Sequence, residues 1–565
     1  MSSILFPLVC SALCAFSLGA IDAEAQLRAS EAPAARADAI VAPWVSDRAP
    51  GVSVAVSLND EIVYARGAGL ANLEHGVPLS PDSVFQVASV SKQFTAFAVF
   101  LLVSEGQIQL GDDIRTYLPE LGETDDVVTV QHLLDHAGGL REQNTLAAMA
   151  GWMPGDIHTR DGIFDLVARQ RGVNFPAASR IEYSNTGYAL LARVVERVSG
   201  QPFREFMQEN VFAPLGMTRS GFPADRDALV TQRAASYYPA GESFRNVISA
   251  SESIGSSGLY TTALDVLRWA ENFETGVVGS SRVFELMAAR YTAENGEVST
   301  FGRGQELRVH NGVATWSHGG RDAGYRSFLL RVPAADLEIV ILSNRTDFDT
   351  AAMAFALMDA WLENDPRYVG PQADNWEPHS LNDLQGLAGD YEFYPGVIFS
   401  LRAGEGGLTF APHGASRDDL APLVQIGPGE FRLSTSPDLS LVFEAQRGTP
   451  AARMGYRIGL HGTLWAPRIA LESFQPESLD INEFAGRCFS EELETHYRLE
   501  ARDGVLIAHH PRLQSFEFTP YQPDTFAGEG PLQRIEFVRA QSGQPVGFHA
   551  SGPLAMNVWF ECRAG

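Results

Sequence analysis

The chain has 565 residues, 45% of them hydrophobic, and a formal charge of −27. That is apolar material for three or four cored domains. Negative charge in such surplus opposes encounter with nucleic acid or an anionic membrane surface, so neither is expected as a partner.

Residues 4 to 21 are uncharged and mostly apolar, and Ala23-Glu24-Ala25 follows as a small-residue cleavage pattern. Residues 1–25 therefore predict a secretory signal and a periplasmic or secreted protein. No Lys or Arg precedes the apolar run, which keeps an uncleaved anchor as the alternative; once the signal is cleaved, no stable membrane binding is expected. Gly51 to Ser57 alternates into an Asn59-Asp60 turn, and Glu61 to Ala68 returns as a hairpin. Ser89 opens a segment whose helix, carrying Phe94, Phe97, Phe100, Leu101 and Leu102, is apolar on most faces and so predicted to be buried. Helical patterns recur at Gly187–Ser199, Phe203–Asn210, Ala263–Glu274 and Ala351–Glu363, with strand patterns at Ser327–Val332 and Glu338–Ser343. Helix and strand thus mix across a domain spanning 26–365.

The stretch 366–380, rich in Pro, Asn, Asp and Gly, predicts a linker. Beyond it helical periodicity nearly vanishes and short strands alternate with Gly and Pro turns. Leu387-Ala388-Gly389 echoes Phe484-Ala485-Gly486, Gly429-Glu430-Phe431 echoes Asp524-Thr525-Phe526, and Leu441-Val442-Phe443 echoes Ile535-Glu536-Phe537. The steady offset predicts two tandem antiparallel β-barrels, over 381–475 and 476–565. Cys488 and Cys562 are the two cysteines left after the signal, near the two ends of the second barrel. In an oxidising compartment they predict a disulfide, with two buried thiols as the alternative.

Lys92 is the one lysine among 42 Lys and Arg residues. It follows Ser89 by three positions, which on a helix puts hydroxyl and amine on one face. A lysine, unlike an arginine, can be made to lose its proton. To act as a base near pH 7 its pKa must fall by about 3 units from roughly 10.4, at about 4 kcal/mol of lost charge stabilisation, and a buried helix supplies the desolvation. Two further stations carry polar groups: Tyr183-Ser184-Asn185 before a helix, and Trp316-Ser317-His318-Gly319-Gly320 leading through Arg321 toward a strand. The glycines there admit close backbone approach, and free N–H groups stabilise an oxyanion. Taken singly, Tyr183 reads as a core tyrosine, Asn185 as a helix cap and His318 as a loop histidine. His132 and His136 have an i, i+4 metal-like spacing without the Glu of H-E-x-x-H, and read as packing or local hydrogen bonding. His509-His510 reads as a strand end. No metal or organic cofactor is called for, and no G-x-S-x-G elbow is present.

In order and together, S-x-x-K (Ser89, Lys92), Y-x-N (Tyr183, Asn185) and H-x-G (His318, Gly320) resemble the penicillin-recognising serine hydrolases: class C β-lactamases, DD-peptidases, D-aminopeptidases and related esterases. Phe85-Gln86-Val87-Ala88, the run Val128–Leu140, Ala213–Met217 and Ser257–Tyr260 extend the likeness across residues 45 to 365. The tail resembles the two β-barrels of D-aminopeptidases, in which a tail loop shapes the substrate pocket. The resemblance implies an α+β, β-lactamase/transpeptidase-like domain, an antiparallel sheet flanked by helices, followed by two antiparallel β-barrels. It implies that Ser89 attacks a carbonyl with Lys92 as base and Tyr183 in proton transfer. Asn185 would hold the substrate amide and orient Lys92; His318, Gly319, Gly320 and Arg321 would line the substrate, with the oxyanion between the N–H groups of Ser89 and Arg321. A largely neutral histidine replaces the lysine of K-T-G, so a substrate carboxylate is held less strongly. The expected activity is exported hydrolysis of small amides or esters on a small-molecule or short-peptide substrate, D-aminopeptidase-like. A short-chain carboxylesterase or weak β-lactamase is the alternative, and a penicillin-binding sensor or scaffold with slow or no turnover the reading of another class.

Overall fold

A computed structural model describes residues 33–563, apart from 123, 125, 154, 371–376, 414–419, 434–435, 445–447, 459–463, 472–473 and 477–478. The signal-like segment lies outside the described residues, as does the middle of the 366–380 linker. The first domain is built on one sheet whose strands, in chain order, are β1 (Val52–Leu58), β2 (Glu61–Ala68), β3 (Arg290–Thr292), β4 (Val298–Gly302), β5 (Gln305–His310), β6 (Val313–Asp322), β7 (Tyr325–Val332) and β8 (Leu337–Ser343). Their spatial order is β2-β1-β8-β7-β6-β5-β4-β3, antiparallel throughout. Asn59 and Asp60, both at positive φ, make the β1–β2 turn, which Asn and Asp tolerate better than most residues.

Alternation along the strands sends side chains to two cores. Val54, Val56, Ile339, Ile341 and Leu330 pack against α4 (Thr350–Leu362) on one face. Ala55, Leu329, Val340 and Leu342 face the larger core formed with α1 (Ser91–Ser104), α2 (Asn185–Ser199) and α3 (Ala263–Thr275). As its apolar faces require, α1 is buried along almost its whole length. Ser89 lies just outside it, in a 3-10 turn over Ala88–Val90; α1 itself starts at Ser91. The segment expected at Phe203–Asn210 is an α-helical turn, Phe203–Met207, that widens into a π-turn over Gln208–Phe212.

Ser380 caps a short helix, Leu381–Leu387, that leads into the tail. There the chain forms two closed barrels of eight antiparallel strands each, the first from Gly389 to Ile469 and the second from Gly486 to Arg563. The first closes through Asp390 opposite Ile469, the second through Cys488 opposite Cys562, which are joined by a disulfide.

Candidate active site

The Ser89 turn is pinned from three sides. Phe85-Gln86 pairs with Tyr260-Thr261, the Val87 N–H donates to the Leu259 carbonyl at 2.9 Å, and Ser327 Oγ donates to the Val87 carbonyl at 2.7 Å. Ala88 is held at φ +47°, an unfavourable region for a residue with a Cβ, immediately before the serine. Strand β6 packs its backbone directly onto this turn. A Cβ on Gly320 would meet the Val87 carbonyl oxygen at 2.3 Å and the Ala88 Cβ at 3.1 Å, so the second glycine of the H-x-G station is required by close approach.

Lys92 is fully buried, and its amine has three oxygen neighbours: Ser89 Oγ at 3.1 Å, Asn185 Oδ1 at 2.7 Å and the Ser256 carbonyl at 2.9 Å. Tyr183 offers its ring face 4.7 Å from Nζ. Burial drives the Lys92 pKa down to about 7, with Glu142 opposing the shift. At neutral pH a large share of the amine is therefore unprotonated. A neutral amine keeps two N–H donors, which Asn185 Oδ1 and the Ser256 carbonyl accept, and its lone pair is left for the Ser89 hydroxyl.

Tyr183 and Asn185 flank the start of α2. The helix is capped by Ser184, whose Oγ accepts the Gly187 N–H at 3.1 Å, and ends at Gly200 with φ +73°. Its first residue, Asn185, is gripped by Glu142: Oε2 accepts the Asn185 N–H at 2.9 Å and Oε1 accepts Nδ2–H at 3.1 Å. Both ends of the Asn185 amide are thus engaged inside the protein, by Lys92 and by Glu142. Tyr183 is half-buried with its hydroxyl hydrogen-bonded to Ser89, and desolvation lifts its pKa above the ordinary 10, so it remains a protonated phenol. His136 stacks on the Tyr183 ring at 4.6 Å, and its Nδ1 accepts the Ser184 N–H at 3.1 Å. Burial, and after it Lys92, keeps His136 neutral. His132 instead serves as the reciprocal partner in a capping box with Thr129.

The third station lines a pocket shared by Ser89, Tyr183, His318, Gly319, Gly320, Arg321, Arg326 and Glu306. His318 is buried, first by its surroundings and then by the Lys92 charge held down to a pKa of about 3. Its Nδ1–H donates to the Gly319 carbonyl at 2.6 Å, which fixes Nε2 as the acceptor; Nε2 is buried and has no hydrogen-bond partner among the described residues. Glu306, on β5 opposite Ser317, adds a carboxylate, one oxygen of which accepts from Arg308 Nη2 at 2.6 Å. Burial pushes the Glu306 carboxyl up, against Arg308 and, from the first barrel, Arg457. The structure thus brings together Ser89, Lys92, Tyr183, Asn185, His318, Gly319, Gly320 and Arg321. Sequence reasoning missed Glu142 and Glu306 and gave His136 no part in the site, although His136 lies within the Val128–Leu140 run and Glu142 two residues beyond it.

The site and its sheet match a known family. The Beta-lactamase family model matches residues 31–360, more than half of the chain, and the chain belongs to that family. It is a serine hydrolase of the β-lactamase family. A D-aminopeptidase from Gluconobacter oxydans is 26% identical over 55% of this chain and 59% of its own length, so the chain spans somewhat more than half of that relative. A D-aminopeptidase from Cereibacter sphaeroides is 24% identical over 86% of each chain, a span that takes in barrel residues. The structure of an octameric penicillin-binding protein homologue from Pyrococcus abyssi shares the fold, with a TM-score of 0.51 at 19% identity over 83% of this chain and 96% of that one.

Proposed function

We propose that this protein is an exported aminopeptidase acting through an acyl-serine on small peptides or amides whose N-terminal residue is a D-amino acid with a free amino group. Neutral Lys92 takes the Ser89 proton as the Oγ–C bond forms, and the N–H groups of Ser89 and Arg321 face the resulting oxyanion. Tyr183 passes a proton to the leaving nitrogen as the C–N bond breaks and regains one from Lys92. Water then attacks the acyl ester, yielding its proton to the same base, and Ser89 departs reprotonated.

The observation that carries the substrate class is the His318 Nε2, without a hydrogen-bond partner among the described residues, and the Glu306 carboxylate, on residues that line one pocket with Ser89. Both are hydrogen-bond acceptors, and an ammonium brings N–H donors where a penicillin would bring a carboxylate. Arg321 and Arg326 line the same pocket and give it a cationic side for the carboxylate of a peptide leaving group. The D-aminopeptidases among the relatives favour the same class. The Cys488–Cys562 disulfide and the signal-like N-terminus favour export.

Matched chromogenic amides test this: D-aminoacyl, L-aminoacyl and N-acetyl-D-aminoacyl, alongside a short acyl ester and a cephalosporin. The D-aminoacyl amide is expected to be hydrolysed with kcat/KM roughly 100-fold above its N-acetyl analogue. Glu306→Gln should raise KM for the free-amine substrate and leave the acetylated one unchanged. Equal turnover of the acetylated amide would remove the ammonium from the proposal, and hydrolysis of the ester alone would make the enzyme an esterase.

A further inference from the structure

The second barrel reaches the active site from behind. Its last two strands turn at Gly552–Ala555, and this hairpin is held by the catalytic domain through a run of hydrogen bonds. The Leu554 carbonyl accepts the Glu142 N–H at 2.8 Å and Asn174 Nδ2–H at 2.9 Å. Asn174 Oδ1 accepts the Met556 N–H at 2.8 Å. Buried Arg141 donates from Nε to the Met556 carbonyl and from Nη2 to the Asn557 carbonyl, both at 2.8 Å, while its Nη1 donates to Glu492 of the same barrel at 2.6 Å. Gly552 lies so close to Thr145 that a Cβ would meet Cγ2 at 2.6 Å.

None of these barrel residues lines the pocket around Ser89. What they touch is Glu142, and Glu142 faces both ways. Its backbone N–H is bonded to the hairpin; its carboxylate holds Asn185 by the N–H and the side-chain amide; Asn185 Oδ1 accepts from Lys92 Nζ at 2.7 Å. Three links therefore join a barrel carbonyl to the amine of Lys92. Leu554 also closes the small hollow behind Tyr183, together with His136, Glu142, Asn174 and Glu182.

We propose that the 552–557 hairpin is a positioning element for the general base: through Glu142 and Asn185 it holds Lys92 in register with Ser89 and keeps water from the amine. The second barrel thus acts on proton transfer, while substrate is bound by the catalytic domain. This rests on the reading of Lys92 as base. The titratable groups that face Lys92 are Glu142, Tyr183, Tyr188, His136 and His318, and of these Glu142 is the one bonded to the hairpin.

The test uses the full chain and measures the rate at which a fluorophosphonate labels Ser89 between pH 5 and 10, with KM for a D-aminoacyl amide measured in parallel. Two variants weaken the latch to different degrees: Asn174→Ala deletes the two hydrogen bonds that Asn174 makes with the hairpin, and Asn174→Asp keeps the acceptor for Met556. In the alanine variant labelling should slow roughly tenfold, KM should hold, and the midpoint of the rising limb should move upward as water reaches the amine. The aspartate variant should lie between alanine and wild type. A midpoint that stays at the wild-type value in both variants, whatever happens to the rate or to the melting temperature, overturns the inference, because a purely structural latch changes the amount of active protein and not its titration. A wild-type enzyme whose labelling does not titrate at all would instead overturn Lys92 as base.

Discussion

Two barrels of one design are attached to the same domain in different ways. The first keeps its core to itself: Leu387, Tyr391, Leu401, Phe431, Leu441 and Met454 pack with one another, and among the described residues this cluster contains nothing from the catalytic domain. The second barrel's core, with Tyr497, Phe518, Phe548 and Phe560, is continuous with the one that contains Phe94, Leu146, Met149 and Tyr188. The polar contacts follow the same division. The first barrel meets the catalytic domain through Arg453 and Glu297, partly exposed and 3.5 Å apart, and meets the second barrel through Arg534 and Glu392 at 3.1 Å. The second inserts the Glu492 carboxylate against a buried arginine and receives a backbone bond from Glu142, itself bonded to Asn185. Shared topology therefore does not imply a shared role: the second barrel is hydrogen-bonded through to the base, whereas the first acts on the pocket through the charge of Arg457 near Glu306.

The largest effect belongs to the residue on which that connection ends. Lys92→Arg keeps a positive charge but removes the group able to lose it, and acylation of Ser89 should fall by about 10²–10⁴-fold, the usual yield of a positioned base. This sets the ceiling for any change in the second barrel. In the wild type, labelling should rise with pH through about 7, where the buried amine loses its proton. The sign for stability follows. The unfolded chain holds this proton to the ordinary 10.5 and the folded one only to about 7, so between those values the unfolded state binds more protons, and Lys92 makes the fold gain stability as pH rises. A Lys92→Arg protein that is folded by circular dichroism yet labels at the wild-type rate would remove the base.

Glu492→Ala comes next. It strips the partner from Arg141, whose side chain is 3% exposed, and breaking a buried pair from one side costs about 3–5 kcal/mol. Denaturant unfolding should show that loss, and the surviving enzyme should label more slowly. Opening the second barrel at its seam by replacing Cys488 and Cys562 with serine, a closure spanning 74 residues, should cost about 2–4 kcal/mol and reduce labelling as well. If either change left labelling untouched in folded protein, the second barrel would be an appendage like the first.

The sequence made one half of this contrast legible. Strand spacing and the recurring words predicted both barrels, because turn chemistry and alternation are local. Ser89 and Lys92 are legible locally, as a lone lysine three residues after a serine, whereas Tyr183, Asn185 and His318 become legible only together, through the family resemblance. The division of roles between the barrels was not legible, since it rests on pairings such as Arg141 with Met556, 415 residues apart, which no periodicity reports. Without the Glu of H-E-x-x-H, His136 reads as packing or local hydrogen bonding, and the fold gives it both where it lies on Tyr183 and accepts the Ser184 N–H. Ala88 gave no sign of its positive φ, because alanine is not a residue that favours one; the close packing of Val87 and Gly320 around it imposes it.

The smallest effect is expected on the first barrel. Arg453 pairs with Glu297 across the domain boundary and with Glu444 within its own barrel, stacks over Trp465, and is one-third exposed. Solvent screens such pairs, so Arg453→Ala should cost less than about 1 kcal/mol and leave the labelling midpoint near pH 7 in place. The same barrel does send one charge toward the pocket, since Arg457 acts on Glu306 from a distance. Arg457→Ala should therefore let the Glu306 carboxyl rise further and, by making it easier to protonate, weaken binding of a free-amine substrate at pH 5–6 more than at pH 8. That change would appear in KM and not in the titration of Lys92. A shift of the labelling midpoint by either arginine variant would show that the first barrel also reaches the base, and the distinction between the two barrels would then be one of degree.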